Sequence, residues 1–120
     1  MRLQALAMVV GALLVSASLS AHHSWPVSYS KMVTVKGTVT AFHFVNPHSV
    51  VEFEVKDDNG TVQEWKAEMT NPAHLKGWTA TSLEPGNVVT VTGYRAKSGA
   101  SYLWVLSLSA SNGAELKAPK

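Results

Sequence analysis

The residues best equipped for chemistry in this sequence are histidines. His22 and His23 stand side by side directly after Ser16 to Ala21, a run of small residues interrupted only by Leu19. If a signal peptidase cuts after Ser20, the new chain begins Ala21-His22-His23. Its free amine, the two amide nitrogens next in the chain and the His23 ring then form a square-planar nitrogen set of the kind that suits Cu(II) or Ni(II). If the cut falls after Ala21, His22 leads, and its own amine and ring chelate one ion together. Either product is a copper-type ligand set, so Cu(II) is the expected cofactor. The plainer reading is that signal junctions are polar and exposed, which would make the pair only a solvated start of the chain.

His48 is the next candidate, with Glu68 as its partner. Strand parity makes them diagonal neighbours on an outward face, and a carboxylate beside an imidazole orients the ring and raises its basicity. Against this, Asn46-Pro47-His48 is ordinary turn chemistry, and Glu64 and Lys66 show that the face is charged in any case. His43 reads as a hydrogen-bonded structural histidine, and His74 as exposed. Trp65, Trp78 and Trp104 could line a ligand groove, but their inward parity assigns them to the core, while Trp25 lies in an arm that could cover the fold. Catalysis has little support. The chain has no cysteine, no serine in an elbow motif, no Asp-rich metal cluster and no phosphate-cradling glycine loop. The expectation is a binding protein and not an enzyme.

The elements that must position these side chains begin after a leader. Met1-Arg2 is a short positive segment, Leu3 to Val15 is apolar, and small residues close it, which is the form of a secretory signal peptide over residues 1–20. The apolar part is short of the ~20 residues a membrane span needs. The expectation is therefore a periplasmic or secreted protein with no stable membrane insertion after processing. About 100 residues then remain, enough for one modest core. Without disulfides, an exported domain of this size must hold together by packing alone. Removal of Arg2 leaves nine of the ten Lys and Arg against eight Asp and Glu. A surface so nearly neutral argues against a nucleic-acid partner, whose phosphates call for a basic face.

Residues 21–32 contain Pro26 and lack periodicity, so they read as an extended arm. From Val33 to Ala41 apolar and polar residues alternate, as they do again through Val51, Phe53 and Val55. Between these runs Phe42, His43 and Phe44 are out of phase, and a bulge near Phe42 is the simplest repair. Pro47 places the reversal at Asn46 to His48. Asp57-Asp58-Asn59-Gly60 is a turn signal. A three-residue loop, Asp58 to Gly60 with Gly60 left-handed, pairs Phe53 with Trp65, Val51 with Ala67, Glu52 with Lys66 and Val50 with Glu68, which puts every apolar residue of the inward set on one face.

Asn71-Pro72 opens a short helix that Gly77 ends, with Leu75 and Trp78 expected to plug the sheet. Glu84-Pro85-Gly86 reads as a type II turn. Val88 to Lys97 and Ala100 to Ala110 read as a hairpin joined by Ser98-Gly99, with Val91 opposite Leu106 and Gly93 opposite Trp104. Asn112-Gly113 is a last turn before a flexible tail, residues 114–120. Five strands with one short helix after the third predict an all-β, OB-fold-like, partly open barrel over residues 33–113. The alternative is an immunoglobulin-like β-sandwich, which would want about seven strands and no helix.

Ala21-His22-His23-Ser24 after a leader, Gly37-Thr38-Val39, Asn46-Pro47-His48, Trp65 with Glu68, Pro72, Leu75, Gly77-Trp78 and Pro85-Gly86 together resemble a family of small exported bacterial proteins catalogued as a domain of unknown function. The resemblance covers nearly the whole mature chain and implies compartment and domain extent, but no activity. Two functions stay open from the residues. One is a periplasmic binding module for Cu(II) that uses His22 and His23, with His48 as a further ligand backed by Glu68. The other is an OB-type interaction domain for a small molecule, glycan or protein, with no metal role.

Overall fold

A computed structural model describes residues 26–117. They form six strands: β1 (Val27–His43), β2 (Ser49–Lys56), β3 (Val62–Met69), β4 (Val88–Ala96), β5 (Tyr102–Ala110) and β6 (Glu115–Lys117), with a single 3-10 turn at Pro72–His74. The hydrogen-bonded order is β3-β2-β1-β4-β5-β6, and β3 also pairs with β5. That last pairing is parallel, whereas the others are antiparallel. It closes a ring of five strands, β1 to β5, as an OB-like element order requires. β1 serves both halves of the ring, pairing with β4 along its first part and with β2 along its last.

The β2–β3 hairpin adopts the register that parity demands. Phe53 faces Trp65, Val51 faces Ala67, Glu52 faces Lys66 and Val50 faces Glu68. Gly60 has φ 78°, and the loop is closed by Asp57 N–H to Thr61 O at 3.0 Å and Gly60 N–H to Asp57 O at 3.0 Å. The Asp57 carboxylate also accepts from the amides of Asn59 and Thr61, which is why an aspartate suits the first position of this loop. On β1 the register against β2 shifts between Val39 and Ala41. The slip brings Phe42 and Phe44 against the core as partly buried neighbours and leaves His43 exposed. The Asn46–Pro47 peptide in the reversal is cis.

The short helix is one 3-10 turn, and Asn71 at its start makes no side-chain capping bond. Leu75 is nevertheless buried in the core and Trp78 packs against it, the latter with its ring edge-on to Phe42 at 5.9 Å. Gly86 takes φ 95°, and Asn87 N–H bonds Glu84 O at 3.1 Å, closing the expected turn.

The β4–β5 hairpin departs from expectation. Its loop runs from 97 to 101 instead of using Ser98-Gly99 alone, which moves the pairing by one residue. Gly93 therefore lies opposite Val105 and Tyr94 opposite Trp104. A slip of one residue exchanges the two faces of a strand. Leu103 and Val105 point into the core, while Tyr102 and Trp104 lie on the other face, half-buried. A second shift between Thr92 and Gly93 then sets Val91 opposite Leu108, and Leu108 is buried. Two further boundaries differ from the sequence reading. β1 begins at Val27, inside the stretch read as an arm, and Glu115–Lys117, read as tail, returns along β5 as β6. Among the described residues no helix is long and apolar enough to cross a membrane.

Candidate functional site

Three neighbouring strands, β2, β3 and β5, bring a set of polar and aromatic side chains together on the outer face of the ring. Glu68 is central. On one side β2 pairs Val50 with Glu68, and on the other β5 pairs Trp104 with it. His48, two residues before Val50, reaches diagonally across, and its Nδ1 lies 2.6 Å from Glu68 Oε1. From β5 the Tyr102 hydroxyl donates to Glu68 Oε2. Trp104 completes the set, its ring edge-on to the His48 imidazole at 5.3 Å between centroids.

Both oxygens of one carboxylate are thus engaged from opposite sides. Burial raises the Tyr102 pKa above the usual phenol range, and the hydrogen bond to Glu68 and the charge on Glu68 add to the effect. The phenol consequently stays protonated at neutral pH and remains a donor. With Glu68 accepting as a carboxylate, the neutral His48 ring carries its proton on Nδ1 and has its lone pair on Nε2. This is the arrangement in which a carboxylate fixes tautomer and ring direction for a ligating histidine.

The remaining histidines play local parts. His43 Nε2 lies 3.2 Å from Glu52 Oε2, and Lys66 Nζ is 3.6 Å from the other Glu52 oxygen. The His43 hydrogen bond is the main reason the Glu52 carboxyl titrates below its ordinary value; desolvation opposes it, and the charges of His43 and Lys66 add smaller contributions in the lowering direction. His74 Nδ1 is 3.2 Å from the Thr70 hydroxyl. His22, His23 and Trp25 lie outside the described residues. Among the described residues no group of three or more His, Cys, Asp and Glu could hold a metal. His48 and Glu68 therefore provide at most one ligand and its support, and a metal would need further donors.

The start of the described chain lies close by. Pro26 O accepts a hydrogen bond from Lys97 N–H at 2.9 Å, and Pro26, Ala96 and Lys97 line one open groove together with Glu68 and Tyr102. The diagonal contact of His48 and Glu68 comes from turn chemistry and strand parity. The contributions of Tyr102 and Trp104 do not, because they depend on the parallel β3–β5 pairing and on the length of the 97–101 loop. Leu103 and Val105 carry a local signal for that face, since their own alternation is equally apolar and sends Tyr102 and Trp104 outward.

A five-strand ring with a histidine–carboxylate–tyrosine set on its outer face defines a small, nearly all-β domain. The chain belongs to the DUF6152 family, a family of unknown function, whose match spans residues 10–103. No curated protein sequence matches it significantly. Among solved structures it is similar to TiaS in a complex with tRNA and ATP, at 19% identity and a TM-score of 0.46 over 69% of this chain and 18% of that one. It is also similar to a ZRD-deleted mutant of TiaS in complex with agmatine, at 18% identity and a TM-score of 0.47 over 78% of this chain and 26% of that one. The chain thus spans only about a fifth to a quarter of those proteins' length.

Proposed function

We propose that the protein is exported, to the periplasm or beyond, and works there as a binding module for one Cu(II) ion. Its ligands are the new N-terminal amine and the side chain of His23 or His22, according to which residue leads, with His48 as a further ligand steadied by Glu68. The observation that carries this reading is the position of Pro26. Pro26 lines the same groove as Glu68 and Tyr102, and His23 is three residues before it, a reach of at most about 11 Å even for extended chain. That short connection supports reading the two histidine sets as parts of one site.

The chemistry depends on where the leader is cut. With Ala21 first, the amine, two amides and the His23 ring would hold the ion, with His48 as a further nitrogen donor. With His22 first, its amine and ring would hold the ion, again with His48 as a further donor. In either case neutral nitrogens are required, so binding releases protons. Glu68 supports His48 without itself leaving the Tyr102 hydrogen bond.

Mass spectrometry of protein recovered from a periplasmic extract, with Cu(II) titration of the same sample, tests the reading. A first residue of Ala21 or His22 with one equivalent of tightly bound copper is expected. Protein that keeps its leader in the cytoplasm, or a processed form that takes up no copper, would overturn it.

A further inference from the structure

A second site lies along the edge of β5, away from the groove that holds Pro26. β3 pairs with β5 over Tyr102 to Trp104, and β6 pairs with it over Ser107 to Ser109. Between the two, no described strand pairs with Val105 or Leu106 on that side. At this gap a cleft of about 370 Å³ opens, walled by Met69 and Leu75 on one side, Leu116 on the other, and Trp104, Val105 and Leu106 at its base. That volume falls in the lower part of the range for small-molecule pockets, about 300–1,000 Å³. The cleft exists because the chain after Gly113 folds back as β6, bringing Leu116 against the core.

The polar residues at its rim share one character. Among the described residues Thr70, His74 and Lys117 supply its polar lining, and none of them is a carboxylate. With the Thr70 hydroxyl donating to His74 Nδ1 across 3.2 Å, Nε2–H becomes the donor of that ring. An ammonium and an imidazole N–H at the mouth of an apolar cleft match one negative group on an apolar body.

We infer that this cleft binds a small amphipathic carboxylate, its hydrocarbon or ring portion against Trp104, Leu106 and Leu116 and its carboxylate between Lys117 and His74. The site uses neither His48 nor the N-terminus, and Trp104 is the residue it has in common with the set around Glu68. Apolar burial supplies the affinity, and the rim charge selects an acid over a neutral analogue.

The test uses mature protein, with decanoate and decanol as probes, read by amide chemical-shift mapping at low ionic strength. Decanoate should bind saturably, with the largest shifts at Thr70, His74, Trp104 and Leu116. Lys117→Glu at the exposed rim should weaken decanoate about five- to tenfold and leave decanol unchanged. Leu106→Trp, which fills the cleft from its base, should weaken both. Should Leu106→Trp disturb the fold, the Lys117→Glu contrast between acid and alcohol decides alone. Absence of saturable binding, shifts centred elsewhere, or equal loss of acid and alcohol in Lys117→Glu would overturn the proposal. Competition from another segment of the same chain for the cleft would show as the first of these.

Discussion

His48 Nδ1 lies 2.6 Å from Glu68 Oε1, although the two residues are 20 apart in sequence and sit on opposite arms of the β2–β3 hairpin. The contact fixes which ring nitrogen is protonated. In the neutral ring, Nδ1 should carry the hydrogen, and long-range ¹H–¹⁵N correlation of the His48 side chain should report that tautomer. Glu68→Gln offers a weaker acceptor and should shift the population toward the Nε2–H form, which is commoner in a free imidazole. An unchanged tautomer in Glu68→Gln would mean that Glu68 does not set it.

Two tryptophans test the assignment of faces. Trp65 is 5% exposed and stacks on Phe53 at 6.4 Å with the planes 29° apart. Trp65→Ala should therefore cost ~3–5 kcal/mol, as truncation of a buried aromatic does. Trp104 sits on the outer face, half-buried, and Trp104→Ala should cost only about 1–2 kcal/mol. Urea melts of the two variants give the comparison. Equal losses would return Trp104 to the core, where sequence parity alone places it.

Gly93 faces the core, and its lack of a side chain is needed there. A Cβ at that position would stand 2.7 Å from the Trp104 carbonyl carbon and 2.9 Å from Leu103 Cδ1. The obstacle is backbone of the paired strand, which cannot move aside without breaking the β4–β5 ladder. Gly93→Ala should lower stability by about 2–3 kcal/mol, measured by the same melts. A loss under about 0.5 kcal/mol, typical of unconstrained surface sites, would show that the strands are not so closely apposed.

The exposed His43–Glu52 pair makes a pH prediction. Glu52 is held below its ordinary value of 4.5, chiefly by the hydrogen bond from His43. A carboxyl depressed in the folded state contributes stability above its unfolded titration range, and that contribution is lost as pH falls through the folded value. Carboxyl ¹³C shifts recorded against pH should give a Glu52 midpoint below 4.5, moving upward in His43→Ala. Added salt should shrink the difference, because the pair is open to solvent. A Glu52 midpoint that His43→Ala leaves in place would assign the depression to Lys66 instead.

Local chemistry explains which parts of this fold could be read from the chain. Gly60 and the alternation on both sides of it admit one loop length, which sets the register from Ser49 to Met69 and the approach of His48 to Glu68 with it. Nothing so restrictive surrounds Ser98-Gly99. There a five-residue loop and a two-residue loop are equally compatible with the turn residues, and the choice turns Trp104 from the core to the outer face. The extra residue Leu106, opposite the Thr92–Gly93 step, then restores parity for Leu108 and hides the slip at the far end of the strand. β6 is three residues long, and its pairing depends on β5 already being in place. Tyr102 joins Glu68 only through the β3–β5 pairing, a contact between distant segments that periodicity does not encode.

A single Cu(II) site made by the processed N-terminus together with His48 is tested most directly by Cu(II) titration of four matched proteins, read by electron paramagnetic resonance. The proteins are the form beginning at Ala21, the form beginning at His22, a form with extra residues ahead of Ala21, and His48→Ala in whichever processed form binds more tightly. Both processed forms should take up one ion with a nitrogen-rich tetragonal spectrum, and the extended form should bind far more weakly for want of the terminal amine. His48→Ala should lower affinity about 10- to 100-fold, the range seen when a metal site loses a supporting group. Equal copper affinity in the extended and processed proteins, or a His48→Ala variant whose affinity and spectrum are both unchanged, would contradict the claim.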